Sequence, residues 1–347
     1  MPESEMTCQT EGMFDLQVNG FAGVDYNNPN LDSEEYEQSL QKMFATGVTI
    51  CLPTLISATE DHLSSCFNAL EKGRRDSALA QTMVLGYHLE GPFLSAESGY
   101  RGCHPPEAML AGDLDFFDRL QETAGGMIRM VTVAPEIEGV LPLIETLSSR
   151  RIIVSLGHTS AGLKEIRQAI DAGALLSTHL GNGTATMLSK HDNPILAQLS
   201  EDRLCATFIA DGYHLSKEQL QLYLRAKGLS RSILVTDATA AAGAVPGIYE
   251  LGSMVLERQQ EPVALAPNTG RPAGSAVTLD QCVQNVIEWF DLSLDEAVCL
   301  ASQNPRKIVD IESPETGDPE HCVRWKKEDG RWRVIEAQSG PISIQNQ

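Results

Sequence analysis

The chain has 347 residues, of which 42% are hydrophobic and 21% are charged, so it is long enough to bury a large core. Lys and Arg number 26 against 47 Asp and Glu, and the resulting net charge of −21 argues against a nucleic-acid partner. The eight cysteines include no Cys-x-x-Cys pair and several lie in apolar runs, so we expect reduced thiols. The polar N-terminus and the lack of a long apolar run predict a soluble, cytoplasmic protein without a signal peptide or membrane contact.

Short apolar segments rich in β-branched residues alternate with amphipathic segments along the chain. Eight of them are predicted to be strands: residues 13–18, 47–54, 82–90, 127–135, 151–158, 174–180, 204–212 and 232–237. Eight strands alternating with helices predict an α/β fold, a (β/α)8 TIM barrel over residues 13–305. The alternative is a doubly wound open sheet, although no glycine-rich nucleotide-binding turn supports it.

The segment 160–173 illustrates the helical pattern between the strands. Leu163, Ile166 and Ile170 recur at helical spacing while the charged residues fall elsewhere. Gly173 follows the last apolar position, as expected of a helix C-cap.

Residues 306–347 have a different pattern. A turn-rich stretch at 312–321 reads as a linker, and the alternating residues around 328–330 predict a β-hairpin. Four apolar side chains of this hairpin are available to pack on the barrel: Val323, Trp325, Trp332 and Val334. A smaller β-excursion is expected at 255–267.

Polar residues stand at the ends of four predicted strands: Glu90, His158, His179 and Asp237. In a (β/α)8 barrel such positions converge on one mouth of the barrel. Taken singly, each residue could be a turn or cap residue bonded to backbone amides. Taken together, two imidazoles and a carboxylate suit a divalent metal such as zinc, and a further aspartate suits proton transfer.

Further polar residues lie in loops on the same side of the barrel. His104 follows the third strand and could also be an ordinary surface histidine. His214 follows the seventh strand and is expected to face the same mouth. The turn 181–184 offers backbone amides and a carboxamide to a polar ligand, or is simply a flexible glycine turn. Cys103 lies beside His104 but lacks a spaced metal-binding partner.

Six motifs occur in a fixed order over about residues 14–310. They are YHLEGPF (87–93), LGHT (156–159), THLGNGT (178–184), ADGYH (210–214), LVTDATAAAG (234–243) and PAGSAVTL (272–279). In this combination the chain resembles the N-acetylglucosamine-6-phosphate deacetylases of the amidohydrolase superfamily.

The resemblance implies that Glu90, His158 and His179 bind one divalent metal ion, zinc first and Fe, Mn or Co as alternatives. Asp237 would be the general acid/base in removing the acetyl group from an N-acetylated amino sugar, N-acetylglucosamine 6-phosphate above others. The implied substrate contacts are Cys103, His104, Asn182, Gly183, His214, Ala273, Gly274 and Ser275. Other amides, such as an N-acyl amino acid or an unphosphorylated acetamido sugar, are the alternative substrates, and a catalytically silent sugar-binding barrel is the non-enzymatic alternative.

The chain departs from the family pattern in several places. About a dozen residues precede Phe14, so we expect the family's accessory β-sandwich to be reduced or absent. The arginine that binds phosphate in relatives, often across a homodimer, is replaced by a segment with Lys190 or His191 nearest, and Gly183-Thr184 replaces the family's Ala-Met. Whether phosphate is required and whether a homodimer forms stay open.

The first strand also differs from many amidohydrolases. Where these carry His-x-His and hold a second metal ion, this chain has Gln17 and Asn19. A neutral carboxamide is a poor zinc ligand, so we predict a single metal ion, with the two amides contacting its water shell or filling the vacant space.

Overall fold

The computed structural model describes residues 6–267, 271–314 and 321–346. In chain order the strands are β1 (Thr7–Thr10), β2 (Met13–Val18), β3 (Gly20–Phe21), β4 (Val24–Asp25), β5 (Val48–Ile56), β6 (Tyr87–Glu90), β7 (Ile128–Val133), β8 (Ile153–Leu156), β9 (Leu176–Ser177), β10 (Cys205–Ile209), β11 (Ser232–Val235), β12 (Gly247–Leu251), β13 (Met254–Arg258), β14 (Val263–Ala266), β15 (Arg271–Ser275), β16 (His321–Glu328), β17 (Arg331–Ser339) and β18 (Ile342–Gln345). The helices are α1 (Ser33–Ala45), α2 (Glu60–Asp76), α3 (Ala78–Met83), α4 (Leu114–Thr123), α5 (Val140–Ser149), α6 (Leu163–Ala172), α7 (Pro194–Ser200), α8 (Lys217–Lys227), α9 (Leu279–Phe290), α10 (Leu294–Ala301) and α11 (Gln303–Val309).

Eight parallel strands form the central sheet, in the order β2-β5-β6-β7-β8-β9-β10-β11. The sheet closes because the chain after β11 bonds to β2: the Asp237 N–H donates to Gln17 O at 2.9 Å, and Val18 bridges Ala238. The (β/α)8 barrel is thereby confirmed and the open doubly wound sheet is wrong. Each predicted strand overlaps an observed one. However, β5 runs two residues past its predicted end, and Thr82 and Met83, predicted to begin the third strand, end α3 instead.

Local sequence signals explain where the helices begin and end. The Asp32 side chain caps α1 by accepting from two backbone amides of its first turn, and Ser216 and Gln219 form a capping box at α8. At the end of α6, Gly173 takes a left-handed conformation with φ of 115°, as its predicted C-cap role requires. Among the described residues, no helix is both long enough and apolar enough to cross a lipid bilayer.

A four-stranded antiparallel sheet, in the order β1-β16-β17-β18, packs against the barrel. The predicted hairpin is present as β16 and β17, with Asp329 and Gly330 at positive φ in its turn. Val323, Trp325 and Val334 join the barrel's hydrophobic core, and Trp332 packs partly buried against it.

The N-terminal strand β1 and the last strand β18 were not predicted, because both are short and lack an extended apolar alternation. The accessory sheet is therefore reduced, as expected, but larger than a hairpin. The division into units at 305/306 stays a prediction; α11 continues across that position, and residues 315–320 of the expected linker lie outside the described residues.

A second antiparallel sheet, β12-β13-β14-β15, follows the last barrel strand. It contains the predicted β-excursion at 255–267 and extends to Ser275. Its β15 returns the chain to the barrel mouth, where the Ser275 N–H donates to Asp237 O at 2.8 Å.

Candidate functional site

The four polar strand-end residues meet at one mouth of the barrel. Glu90 is the last residue of β6, whereas His158, His179 and Asp237 each lie two residues beyond β8, β9 and β11. All four line a cleft of about 460 Å³. The convergence follows from the parallel sheet, because the carboxyl ends of its strands all face the same way.

Three of these residues have left-handed backbone conformations, which are strained for residues other than glycine. The φ angles are 50° at His158, 28° at His179 and 49° at Asp237. Hydrogen bonds hold both histidines in place: His179 N–H donates to Thr207 Oγ1 at 2.6 Å, and His158 O accepts from Ser95 N–H at 3.1 Å. The left-handed conformation turns the backbone sharply at the end of each strand and directs the side chain into the cleft.

The Glu90 carboxylate is the centre of a cluster of imidazoles. Its Oε1 lies 2.9 Å from His179 Nε2 and 3.4 Å from His158 Nε2, while its Oε2 lies 3.8 Å from His104 Nε2. One ligand atom each from Glu90, His104 and His158 fits within 4.8 Å. His104, which the sequence suggested only as a substrate contact, therefore stands beside the predicted metal ligands.

The other ring nitrogens distinguish His158 from His104. His158 Nδ1 donates to Tyr100 O at 2.8 Å, so when the ring binds a metal its lone pair is on Nε2, the nitrogen that faces Glu90. In His104 the roles are reversed, since Nδ1 accepts from the Ser57 backbone N–H at 3.3 Å. A neutral His104 then carries its proton on Nε2, so it is built to donate a hydrogen bond into the cleft.

Burial and mutual charges set the protonation of the cluster. Burial alone would raise the pKa of Glu90, but its hydrogen bonds with His158 and His179 hold that pKa well below the ordinary value. Burial, followed by the charge of His158, lowers the pKa of His104 to about 3. Burial opposes protonation of His179, but the hydrogen bond with Glu90 and the negative charges of Glu90 and Asp237 together outweigh it and raise the His179 pKa.

The Asp237 carboxyl titrates in a different range. Burial, and then the negative charge of Glu90, raises its pKa to about 6. A carboxyl group with a pKa near neutrality can accept and return a proton within one reaction cycle.

Two amides of the first barrel strand hold Asp237. Gln17 Nε2 donates to Asp237 Oδ1 at 3.1 Å, and Asn19 Nδ2 donates to the same oxygen at 2.7 Å. The amide oxygens of Gln17 and Asn19 are buried without a hydrogen-bond partner in the part of the chain that the structure describes. The two positions thus serve Asp237 directly, a role the sequence pattern did not suggest.

The wall of the cleft after β9 and β10 is polar. Asn182 Nδ2 donates to His179 O at 3.0 Å, which fixes the turn that carries Gly183. Gly183 has φ of 57°, and a Cβ there would lie 2.6 Å from His158 Nδ1. Only glycine lets this turn pack so closely against the His158 ring.

His214 is oriented by a residue that the sequence analysis missed. Its Nδ1 lies 2.6 Å from Asp211 Oδ2, while Asp211 Oδ1 accepts from the backbone amides of Tyr213 and His214. The D-x-x-H spacing in ADGYH was the available signal. The pair leaves His214 Nε2 to face the cleft that His214 lines.

The remaining predicted residues divide into three groups. Cys103, Ala273 and Gly274 line the cleft, and burial raises the pKa of the Cys103 thiol to about 12, so it stays protonated. Ser275 is fully buried behind the wall, where its Oγ donates to Thr236 O at 2.6 Å. Lys190 and His191 are exposed residues of the loop that follows the Gly183 turn.

No protein-family model matches the chain. The N-acetylglucosamine-6-phosphate deacetylase of Bacillus subtilis is 32% identical over 302 residues, which cover 86% of this chain and 75% of that protein. The chain belongs to the N-acetylglucosamine-6-phosphate deacetylase family. The human member is 33% identical over 315 residues, covering 87% of this chain and 74% of the human protein.

Another relative carries the name of a different sugar epimer. The N-acetylgalactosamine-6-phosphate deacetylase of Escherichia coli O157:H7 is 30% identical over 312 residues, covering 89% of this chain and 80% of that protein. Among solved structures, a mutant N-acetyl-D-glucosamine-6-phosphate deacetylase of Mycobacterium smegmatis, in complex with N-acetyl-D-glucosamine-6-phosphate, superposes with a TM-score of 0.88 at 26% identity. It is matched over 98% of this chain and 87% of its own length. The resemblance read from the motifs is confirmed, as is assignment to the enzymes that hydrolyse carbon–nitrogen bonds of amides.

Proposed function

We propose that this deacetylase-family chain hydrolyses the acetamide of N-acetylglucosamine 6-phosphate to acetate and glucosamine 6-phosphate. The observation that carries the proposal is the meeting of Glu90, His158, His179 and Asp237 in one cleft of a family-type barrel. A silent sugar-binding barrel would have no need of this set, because each of these buried groups is costly to keep in place.

The metal ligands we propose are Glu90, His158 and His179, binding one divalent ion. Two ligand atoms of a tetrahedral zinc site lie roughly 3.4 Å apart, given Zn–N distances of about 2.1 Å, and Glu90 Oε1 lies 3.4 Å from His158 Nε2 and 2.9 Å from His179 Nε2. The nitrogen and oxygen donors suit zinc first, with Fe, Mn or Co as alternatives. Such an ion supplies Lewis acidity, which polarises the amide carbonyl and lowers the pKa of a nearby water.

Asp237 is the proposed general acid/base. It takes the proton of the attacking water and returns it to the amide nitrogen as the carbon–nitrogen bond breaks. Gln17 and Asn19 hold its Oδ1, so its Oδ2 carries neither of these contacts and is the oxygen we assign to proton transfer.

Hydrogen-bond donors on the cleft wall are proposed to stabilise the oxyanion and to hold the sugar. His104 Nε2 would donate to an oxygen atom of the substrate, since its Nδ1 accepts from Ser57 N–H. His214 Nδ1 donates to Asp211, so the neutral His214 ring would offer its Nε2 lone pair to a hydroxyl group of the sugar. Asn182, Gly183 and the Ala273–Gly274 backbone would contact the sugar and its phosphate. Ser275 supports this wall from behind.

Lys190 is proposed to bind the 6-phosphate, from its own subunit or across a homodimer. Relatives place an arginine in the corresponding loop, and Lys190 is an exposed cation there. We expect Lys190→Ala to raise KM for the phosphorylated sugar about tenfold or more without changing KM for the unphosphorylated sugar. Sedimentation of the wild type and of this variant tests whether a homodimer forms. The compartment we propose for the protein is the cytoplasm.

Acetate release by metal-stripped protein reloaded with zinc tests the function. N-acetylglucosamine 6-phosphate is compared with its galactosamine epimer, with the unphosphorylated sugar and with an N-acetyl amino acid. We expect zinc-dependent release to be fastest with the first. If the zinc-loaded protein releases acetate from none of the sugars, the proposal is wrong; faster release from the amino acid would favour the alternative amide substrate.

A further inference from the structure

A second cleft, of about 710 Å³, opens beside the candidate active site. We call it the side cleft; Ile56, Ser57, Cys103, Ala108 and Met254 are among the residues that line it. Ile56 and Cys103 also line the active-site cleft, so the two clefts adjoin at these residues.

The side cleft lies close to the reacting centre. Ser57 Oγ is 2.9 Å from His104 Nδ1, and the Nε2 atom of the same ring is 3.8 Å from Glu90 Oε2. The side cleft therefore begins within the length of one imidazole ring of the Glu90 carboxylate.

The two sides of the barrel mouth differ in chemistry. The residues after β9 and β10, including Asn182 and His214, form the polar wall of the active-site cleft. The side cleft lies after β2, β5 and β6, and β5 stands four strands from β9 in the closed sheet of eight, which places the two on opposite sides of the mouth.

The surface that lines the side cleft is mostly apolar, and its polar side chains His62 and Asn27 are already paired. His62 Nε2 lies 3.0 Å from Asn27 O, while the Asn27 side chain donates to Thr54 O at 3.1 Å and accepts from Ile56 N–H at 2.9 Å. Groups satisfied in this way add little affinity for a polar ligand, so an apolar occupant fits the cleft better.

We propose that the side cleft receives the acyl chain of the substrate, so that this chain hydrolyses N-acyl amino sugars whose acyl group is longer than acetyl. The inference rests on the proposed function: with the sugar on the polar wall, the acyl carbon points to the opposite side of the mouth. The reaction stays balanced, since water adds its oxygen to the carbonyl carbon, the carbon–nitrogen bond breaks, and a fatty acid and the amino sugar leave.

Acyl-chain dependence of kcat/KM on the zinc-loaded wild type tests the inference, with N-acetyl, N-butanoyl and N-hexanoyl glucosamine 6-phosphate as substrates. Each methylene buried in an apolar cleft favours binding by up to about fourfold, so we expect butanoyl to be hydrolysed within about tenfold of acetyl. A site closed behind the acetyl group would instead reject butanoyl by about a hundredfold or more.

Substitutions in the side cleft test whether the acyl chain of the substrate binds there. Ala58→Phe fills the side cleft and should lower the butanoyl-to-acetyl ratio of kcat/KM about tenfold, whereas Ala226→Phe, the same change at an exposed position of α8, should leave it unaltered. Met254→Ala widens the cleft and should raise the hexanoyl-to-acetyl ratio, which keeps the test available if Ala58→Phe does not fold.

The outcomes separate the two proposals. Acetyl turnover with butanoyl rejected overturns the acyl-chain inference alone, as does an unchanged ratio in both cleft variants. Failure to hydrolyse any of the three amides overturns the proposed function on which the inference rests.

Discussion

Asp237 makes more hydrogen bonds to the rest of the protein than its position at the end of a strand predicts. Its backbone N–H donates to Gln17 O, its backbone O accepts from Ser275 N–H, and its Oδ1 accepts from Gln17 and Asn19. The sequence identified this aspartate from its position after a strand. The two amides on its side chain could be seen only once β2 and β11 were adjacent.

Asp237→Asn should abolish proton transfer while keeping the size and hydrogen-bonding shape of the side chain. We expect kcat to fall by about 10²- to 10⁴-fold. Zinc content, measured on the same preparation, should stay at the wild-type level, because the proposed ligands are Glu90, His158 and His179. Loss of zinc together with activity would instead make Asp237 a part of the metal site.

Asn19→Ala removes the 2.7 Å hydrogen bond to Asp237 Oδ1. This bond favours the ionised carboxylate, so its loss raises the Asp237 pKa above the present value of about 6. If ionised Asp237 is the base, activity is lost as pH falls through its pKa, and the acid limb of the kcat/KM profile should move up by about one pH unit. Asn68→Ala on an exposed face of α2 is the matched control; an unmoved limb in Asn19→Ala would argue against Asp237 as the base.

At the scale of elements, the turn after β9 shows how a loop can shape a metal site without supplying a ligand. Gly183 packs against the ring of His158, and Gly102 approaches the same ring from the loop after β6, where a Cβ would lie 2.9 Å from His158 Cε1. The two loops fix one imidazole from both sides. The sequence marked Gly183 as a possible ligand contact, but its closest neighbour in the structure is the histidine.

Gly183→Ala should therefore weaken metal binding. The new Cβ would meet His158 Nδ1 at 2.6 Å, in addition to the strain of φ at 57°. Gly340→Ala is a closely matched control, because its φ is 56° and no atom lies within 4 Å of the added Cβ. Both should lose about 1 kcal/mol of folding stability from the left-handed backbone.

Chelator competition separates the two glycine variants. We expect the zinc dissociation constant of Gly183→Ala to rise about tenfold or more, on the scale seen when groups that orient a ligand are changed. That of Gly340→Ala should equal the wild-type value. Equal zinc affinities in the two variants would mean that the turn does not position His158.

At the scale of the whole molecule, the accessory sheet and the barrel share a core. Trp325 of β16 is fully buried, and its Nε1 donates to Thr10 Oγ1 of β1 at 2.8 Å. Val323 and Val334 belong to the same hydrophobic cluster as the barrel strands. A shared core predicts that the sheet and the barrel unfold together.

Trp325→Ala should lower the free energy of unfolding by about 3–5 kcal/mol, as large-to-small changes in a core do. Trp332→Ala, on the partly exposed side of the same hairpin, should lower it much less. Urea denaturation followed by circular dichroism measures both, and the wild type should show a single transition. Two separate transitions would instead support independent units on either side of residue 305.

The sequence by itself determined the barrel, the four strand-end residues and the family, because strand periodicity and rare polar residues at strand ends are local properties of the chain. Only the tertiary structure decided which nitrogen of His104 faces Glu90, what Gln17 and Asn19 hold, and that Asp211 orients His214. It also joined β1 to β16 across more than 300 positions of sequence. These features depend on distances between segments far apart in the chain, which closure of the sheet sets and residue order does not encode locally.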